Sequence, residues 1–205
     1  MNIIMDVRNS FIEFWPNWLQ ELALPHLAIS LRPDEAEAVR RCHRLGNDAD
    51  DQLIRLAGRA TDMTNGRPFF MRLGYGSWAG PQLTCFQTLK VDDAQRAHDT
   101  LTLRDLRLAE INRRWVRGYD LQLFLRPFLE LSPQDEIRTQ ISNAKLVKAW
   151  LRHAPTTICA PPEEAMKVAT DFTGLDHYFA DFIRMNGKWH LSDINPIFEQ
   201  KQAAT

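Results

Sequence analysis

The sequence is short of cysteine, of net charge and of long apolar runs, and each shortage excludes a class of protein. Its three cysteines, Cys42, Cys85 and Cys159, lie far apart and form no Cys-x-x-Cys pair. That argues against a disulfide framework and a structural zinc site, and makes a reducing cytoplasm the expected compartment. Lys and Arg total 25 against 26 Asp and Glu, a net charge of -1. With no global basic field, any contact with nucleic acid or a membrane surface must come from a local patch. No stretch reaches the ~18 apolar residues of a membrane span, and the opening segment Met1 to Ser10 lacks a charged stretch running into an apolar one. Neither insertion nor export is therefore expected. Internal repeats and low-complexity tracts are absent as well.

What is present suits a folded protein. A content of 44% hydrophobic and 25% charged residues, with six Trp and eleven Phe, promises a substantial core. The 205 residues allow one generous domain or two small lobes, at roughly 100–200 residues per domain. Among the cations, 19 are Arg and six are Lys. Arg offers a planar fork suited to phosphate and carboxylate, although codon composition produces the same bias.

Periodicity divides the chain near residue 120. Before it, helices are expected over Pro33 to Leu45, started by Pro33-Asp34-Glu35, and over about Asp48 to Ala60, with a short extended piece from His26 to Leu31. Phe69 to Leu73 reads as a strand running into Gly74-Tyr75-Gly76-Ser77-Trp78-Ala79-Gly80, a flexible loop, and Val91 to Trp115 as helix-like segments. After it, Asp120 to Leu131 alternates with period two, Leu121, Leu123, Leu125, Leu129 and Leu131 on one face. With Asp135 to Ile141 and Lys145 to Leu151 it forms an expected antiparallel meander. A helix from Pro161 to about Asp171 follows, then a hairpin, Asp176 to Met185 and Lys188 to Asn195, around Asn186-Gly187. The fold class expected is α+β, with lobes 1–120 and 121–205 in one unit.

The chemistry concentrates in that hairpin. Phe179, Asp181, Ile183 and Met185 fall on one face of its first strand, and Trp189, Leu191, Asp193 and Asn195 on one face of its second. A buried carboxylate needs a cation, a metal or several hydrogen bonds, and oxygen donors without Cys or His favour a hard ion such as Mg²⁺. Pairing with Arg is the competing reading. A two-residue turn would point Asp181 away from Asp193, so convergence predicts an odd-length or bulged loop. His177 and His190 are expected in surface or structural roles. Arg113, Arg114 and Arg117 beside Trp115 form either a solvated helix face or a phosphate patch for RNA.

Asp193-Ile194-Asn195-Pro196, closing a strand that follows Asp181, resembles the metal-binding end of the ATP-grasp superfamily. Leu123 to Phe128, Asp135-Glu136-Ile137-Arg138 and Lys145-Leu146-Val147 resemble its nucleotide-binding linker and Glu-x-Arg strand, in the same order. Phe11-Ile12-Glu13-Phe14-Trp15-Pro16 and Phe70 to Ser77 resemble segments of the cell-division-cycle family whose eukaryotic member helps assemble translation initiation factor two. There Arg72 stands where that family has a lysine, and Trp78-Ala79-Gly80 replaces its Pro-Lys-Asp. The resemblance, running from about Phe11 to Phe198, implies an ATP-grasp-like fold clamping a nucleotide. It places Mg²⁺ on Asp181, Asp193 and Asn195, and ATP against Leu123, Phe124 and Leu125, with Arg72, Gly76 and Ser77 at the phosphates. Arg72, Arg138 and Arg152 become candidates for stabilising charge during transfer. Two activities follow as alternatives. One is an ATP-dependent ligase or transferase acting on a carboxylate or an RNA end; the other is an ATP-binding assembly chaperone for a protein partner. An exposed patch of Phe11, Phe14, Trp15 and Trp18 would mark the second.

Overall fold

A computed structural model describes residues 7–45, 50–73, 90–102 and 121–197. In chain order the helices and strands are α1 (Asn17–Leu22), β1 (Leu27–Ser30), α2 (Pro33–Leu45), α3 (Asp51–Met63), β2 (Phe69–Leu73), α4 (Ala94–Thr102), β3 (Gln122–Pro127), β4 (Glu136–Ser142), β5 (Lys145–Leu151), β6 (Ala154–Ile158), α5 (Glu163–Asp171), β7 (His177–Met185) and β8 (Lys188–Pro196). Short 3-10 turns occupy Val7–Ser10, Ile12–Phe14 and Pro133–Asp135. The contacts part into two compact units, Pro25–Leu131 and a discontinuous one made of Met1–Leu24 with Ser132–Thr205. They part at Leu131, not near residue 120, and the N-terminal segment joins the C-terminal unit.

In Pro25–Leu131, local chemistry starts each helix. The Arg32 amide donates to Glu35 Oε2 at 2.8 Å, closing the first turn of α2. The buried Glu35 carboxylate is then held by Arg59 at 2.7 Å and Arg32 at 3.1 Å. Asp50 caps α3 by accepting from the Gln52 amide at 3.0 Å, which is why this helix starts at Asp51 and not at Asp48. Leu53, Leu56, Ala57 and Ala60 form its buried stripe. The helix-like stretch from Val91 is α4 as far as Thr102; its continuation, with the Arg113, Arg114 and Arg117 patch, lies outside the described residues.

The sheet of this unit has the order β1-β3-β2, antiparallel throughout. Here the meander expectation is corrected: β3 does not pair with β4 but lies between β1 and β2. A central strand covered on both faces buries its even positions too, so Phe124 and Arg126 are as enclosed as Leu123 and Leu125.

The other unit is built on a five-stranded antiparallel sheet, order β6-β5-β4-β7-β8. Ile137, Thr139 and Ile141 of β4 alternate with Glu136, Arg138 and Gln140, giving the sheet two different faces. Helix α5 packs on this sheet through Ala165, Val168 and Ala169, and the Tyr178 hydroxyl donates to the Val168 carbonyl at 3.1 Å. Burial without a charged partner pushes the Tyr178 phenol well above its ordinary range. The N-terminal segment covers the β8 edge: Ala23 bridges Leu191, and the Leu24 amide donates to the Leu191 carbonyl at 3.0 Å. At Gly174 a Cβ would meet Phe172 Cζ at 2.6 Å, so this position accepts only glycine without a shift of the ring. Strand β6 escapes the sequence pattern because it carries Pro155 and is largely exposed, features that an edge strand tolerates. No helix among the described residues is long and apolar enough to cross a membrane.

Candidate functional site

The β7–β8 hairpin decides whether Asp181 and Asp193 meet. Its connection is two residues, Asn186 and Gly187, with φ of 51° and 78°, and Met185 pairs with Lys188. Positive φ at both positions is what a tight hairpin turn requires. The expected odd-length loop is therefore corrected: the turn is even, and the change of parity comes from inside β8. Phe182 pairs with Leu191 while Asp181 pairs with Asp193, leaving Ser192 as an extra residue in a β-bulge. The Ser192 hydroxyl donates to the Asp181 carbonyl at 3.0 Å, fixing the bulge to β7. Leu191, opposite the fully buried Phe182, joins the core, and Asp193 and Asn195 lie opposite Asp181 and Phe179. The expectation that Leu191 shares a face with Asp193 fails for this reason.

The register carries the row onto β4: Arg138 pairs with Asp181, which pairs with Asp193, and Gln140, Phe179 and Asn195 form the row beside it. Arg138 grips Asp181 with a fork, Nε to Oδ1 and Nη2 to Oδ2, both at 2.6 Å. Its guanidinium also lies over the Phe179 ring, 5.2 Å from the centroid. Asn195 Nδ2 approaches Asp181 Oδ2 at 3.4 Å, and Arg152 Nε stands 3.9 Å from the same oxygen. Burial disfavours the Arg138 charge, but the hydrogen bonds and charge of Asp181, with the fields of Asp193 and Glu136, outweigh it and push its pKa up. Arg138, Arg152, Asp181, Asp193 and Asn195 are thus brought together, with Asp181 engaged by Arg138.

Sequence reasoning passed over Glu136, which joins this group. It is buried and two residues from Arg138, hence on the same face of β4. Desolvation first, then the negative charge of Asp181, raises its pKa above the ordinary glutamate value, while His153 and Arg152 hold it back. His153 Nε2 lies 2.7 Å from Glu136 Oε2. The Glu-x-Arg spacing was the available signal. His177 pairs with Ser142, Oγ to Nδ1 at 2.7 Å.

Among the described residues, no group of three or more His, Cys, Asp and Glu is arranged to hold a metal. The smaller set of Asp181, Asp193 and Asn195 offers hard oxygen donors. An ionised carboxylate has about four acceptor sites, of which the Arg138 fork uses two on Asp181. The donor chemistry fits Mg²⁺, which completes its shell with water and phosphate.

In the other unit, Arg72 pairs with Phe124, and Phe70 with Arg126, so Arg72, Phe124 and Arg126 share one face of the sheet. His26 meets the Phe124 ring edge-on at 5.1 Å between centroids. Leu123 and Leu125 point to the opposite face, and the main-chain groups of β3 are shared between β1 and β2. Any base held there is met by side chains. Gly76 and Ser77, with the rest of the Gly74 to Gly80 loop, lie outside the described residues.

These two antiparallel sheets with their helices make an α+β fold. Among solved structures it is the fold of Cdc123 from Schizosaccharomyces pombe, with a TM-score of 0.63 at 14% identity over 97% of this chain and 87% of that one. The C-terminally truncated Cdc123 of the same organism gives 0.64 at 15% identity with the same coverage. D-Alanine-D-alanine ligase from Helicobacter pylori gives 0.47 at 14% identity, over 88% of this chain and 49% of that one. Neither a family model nor a curated protein matches the sequence.

Proposed function

We propose that the protein binds ATP with Mg²⁺ and uses them to activate an acceptor, as an ATP-dependent ligase or transferase of ATP-grasp type. The observation that carries this reading is the Ser192 bulge, which puts Asp181, Asp193 and Asn195 on one face beside Arg138. The bulge turns Asp193 and Asn195 to the face of Asp181 while Leu191 and Ile194 both stay in the core, so one strand serves packing and the donor set together.

In this reading Asp181, Asp193 and Asn195 hold Mg²⁺, and the bound ion supplies charge neutralisation at the phosphates. Arg138 fixes the Asp181 carboxylate through its fork and adds its positive charge beside the phosphates. Arg152, held close by but not hydrogen-bonded to Asp181, is the more available cation. In the other unit, Arg72, Gly76 and Ser77 are the candidates for a phosphate and Phe124, on the face of Arg72, for the base. Transfer of a phosphoryl or nucleotidyl group needs chiefly positioning and electrostatic stabilisation, which cations and a metal provide without a covalent nucleophile. The reading covers carboxylate and RNA-end acceptors alike.

The assembly-chaperone alternative called for an exposed aromatic patch at the N-terminus. Phe11 and Trp15 are 4% and 3% exposed, spent on the core of their own unit, and Phe14 and Trp18 are half-buried, so the four do not form that patch. Titration calorimetry of wild type and Asp193→Ala with ATP and Mg²⁺ tests the site. Binding by wild type and none by the variant is expected; equal binding by both, or none by either, removes the assignment. Chromatography of the nucleotide products then distinguishes ADP from AMP.

A further inference from the structure

We propose that Glu136 and His153 form a clasp that sets Arg152 above the carboxylate row, making both of them positioning residues for phosphate binding; this rests on the nucleotide reading above. The β5–β6 connection is only Arg152-His153, since Leu151 pairs directly with Ala154. Glu136 grips this connection twice. Its main-chain carbonyl accepts from the Arg152 amide at 2.9 Å, and its carboxylate Oε2 lies 2.7 Å from His153 Nε2. Both flanks of the turn are thereby tied to the strand that carries Arg138, and the Arg152 side chain starts from a fixed root.

That root matters because the two arginines differ in commitment. Arg138 donates twice to Asp181, whereas Arg152 Nε stands 3.9 Å from Asp181 Oδ2, beyond hydrogen-bond range. Arg152 can therefore turn its donors to an arriving anion without breaking a bond, provided that it is already in place. A long cationic side chain loses much rotamer freedom when it is ordered, and a fixed backbone lowers that loss on binding. Glu136 is also costly where it stands, buried and beside another carboxylate, and an apolar residue would satisfy packing more cheaply. Holding the turn gives its charge a use.

The test is a double-mutant cycle read by calorimetry with Mg²⁺ and ATP on wild type, Glu136→Gln, Arg152→Ala and the double variant. Each single change is expected to weaken binding about tenfold or more, the range of a charge-assisted hydrogen bond, and the double variant to be no weaker than either. His153→Leu should behave like Glu136→Gln, and His153→Lys, which places a cation opposite Glu136, should restore affinity. Additive losses, or no difference between the Leu and Lys variants, overturn the clasp and leave the metal site standing. A second measurement needs no nucleotide: hydrogen exchange at the Arg152 main-chain amide, which donates to the Glu136 carbonyl, read by nitrogen-15 NMR, should quicken in Glu136→Gln and in His153→Leu. Unchanged exchange in both refutes the clasp. Absence of ATP binding in wild type refutes its phosphate role together with the nucleotide reading.

Discussion

The two sheets enclose charge in opposite ways. The β6-β5-β4-β7-β8 sheet keeps one face apolar and gathers Glu136, Arg138, Asp181 and Asp193 on the other, where each charge lies within reach of an opposite one. The β1-β3-β2 sheet encloses the middle of its central strand on both faces, and Arg72 and Arg126 are folded into it at 3% and 2% exposure beside Phe124 and Phe70. Partition by face lets a strand serve core and chemistry together; enclosure on both faces makes Leu123, Phe124, Leu125 and Arg126 of β3 part of the packing.

The largest effects should come from breaking each arrangement at its centre. Arg138→Leu leaves Asp181 buried without its fork and is expected to cost about 3 to 5 kcal/mol in urea unfolding, as the loss of one partner of a buried ion pair does. Replacing both members, Arg138→Met with Asp181→Leu, should recover most of that stability while nucleotide binding stays lost, so the pair would be shown to serve the site more than the fold. In the other sheet Phe124→Ala is expected to lower stability by about 3 to 5 kcal/mol through the cavity it opens. A loss below about 1 kcal/mol would show that β3 is less enclosed than its burial indicates.

Deleting Ser192 sharpens the contrast at smaller cost. Without the extra residue, Leu191 and Asp193 would alternate regularly and still face core and site respectively, opposite Phe182 and Asp181. The variant is expected to bind Mg²⁺ and ATP with some loss of thermal stability; abolished binding would mean that the hairpin slips instead. The pH dependence comes next. Because Glu136 has its folded pKa raised, its ionisation opposes folding: its contribution is full below the ordinary glutamate range and is lost as pH rises through the raised value. Wild-type stability relative to Glu136→Gln should therefore fall across that window, by urea unfolding at a series of pH values, and a flat difference contradicts the raised pKa. The smallest effect is expected at the exposed Val147, an extra residue where Gln140 pairs with Lys148 and Ile141 with Leu146. Val147→Thr should stay within about 0.5 kcal/mol.

The same contrast explains what could be read in advance. Strands β4, β5, β7 and β8, helix α5 and the Asn186-Gly187 turn were legible because one dry and one wet face impress period two or 3.6 on the sequence. Asp181, Asp193 and Asn195 could be nominated for the same reason, although the parity that unites them lies in Ser192, a residue with no local signature of a bulge. Strand β3 misled because its leucines alternate like those of a half-exposed strand, and nothing local announces that Phe124 and Arg126 are covered too. Strand β6 was lost to Pro155, and the Glu136–His153 contact joins residues of two elements that no pattern links.

The pairing of Ala23 with Leu191 has a consequence for the order of assembly. As the chain emerges from the ribosome, Pro25–Leu131 is complete long before the strand that the N-terminal segment must cover has been made. Phe11, Ile12, Trp15 and Leu19, all buried in the finished fold, must wait through that interval with their apolar surface unclaimed. The slow step of folding is expected to be this late closure of distant ends, since contacts across a long loop form last. Nascent chains halted before β8 would then be the species most in need of a chaperone's protection.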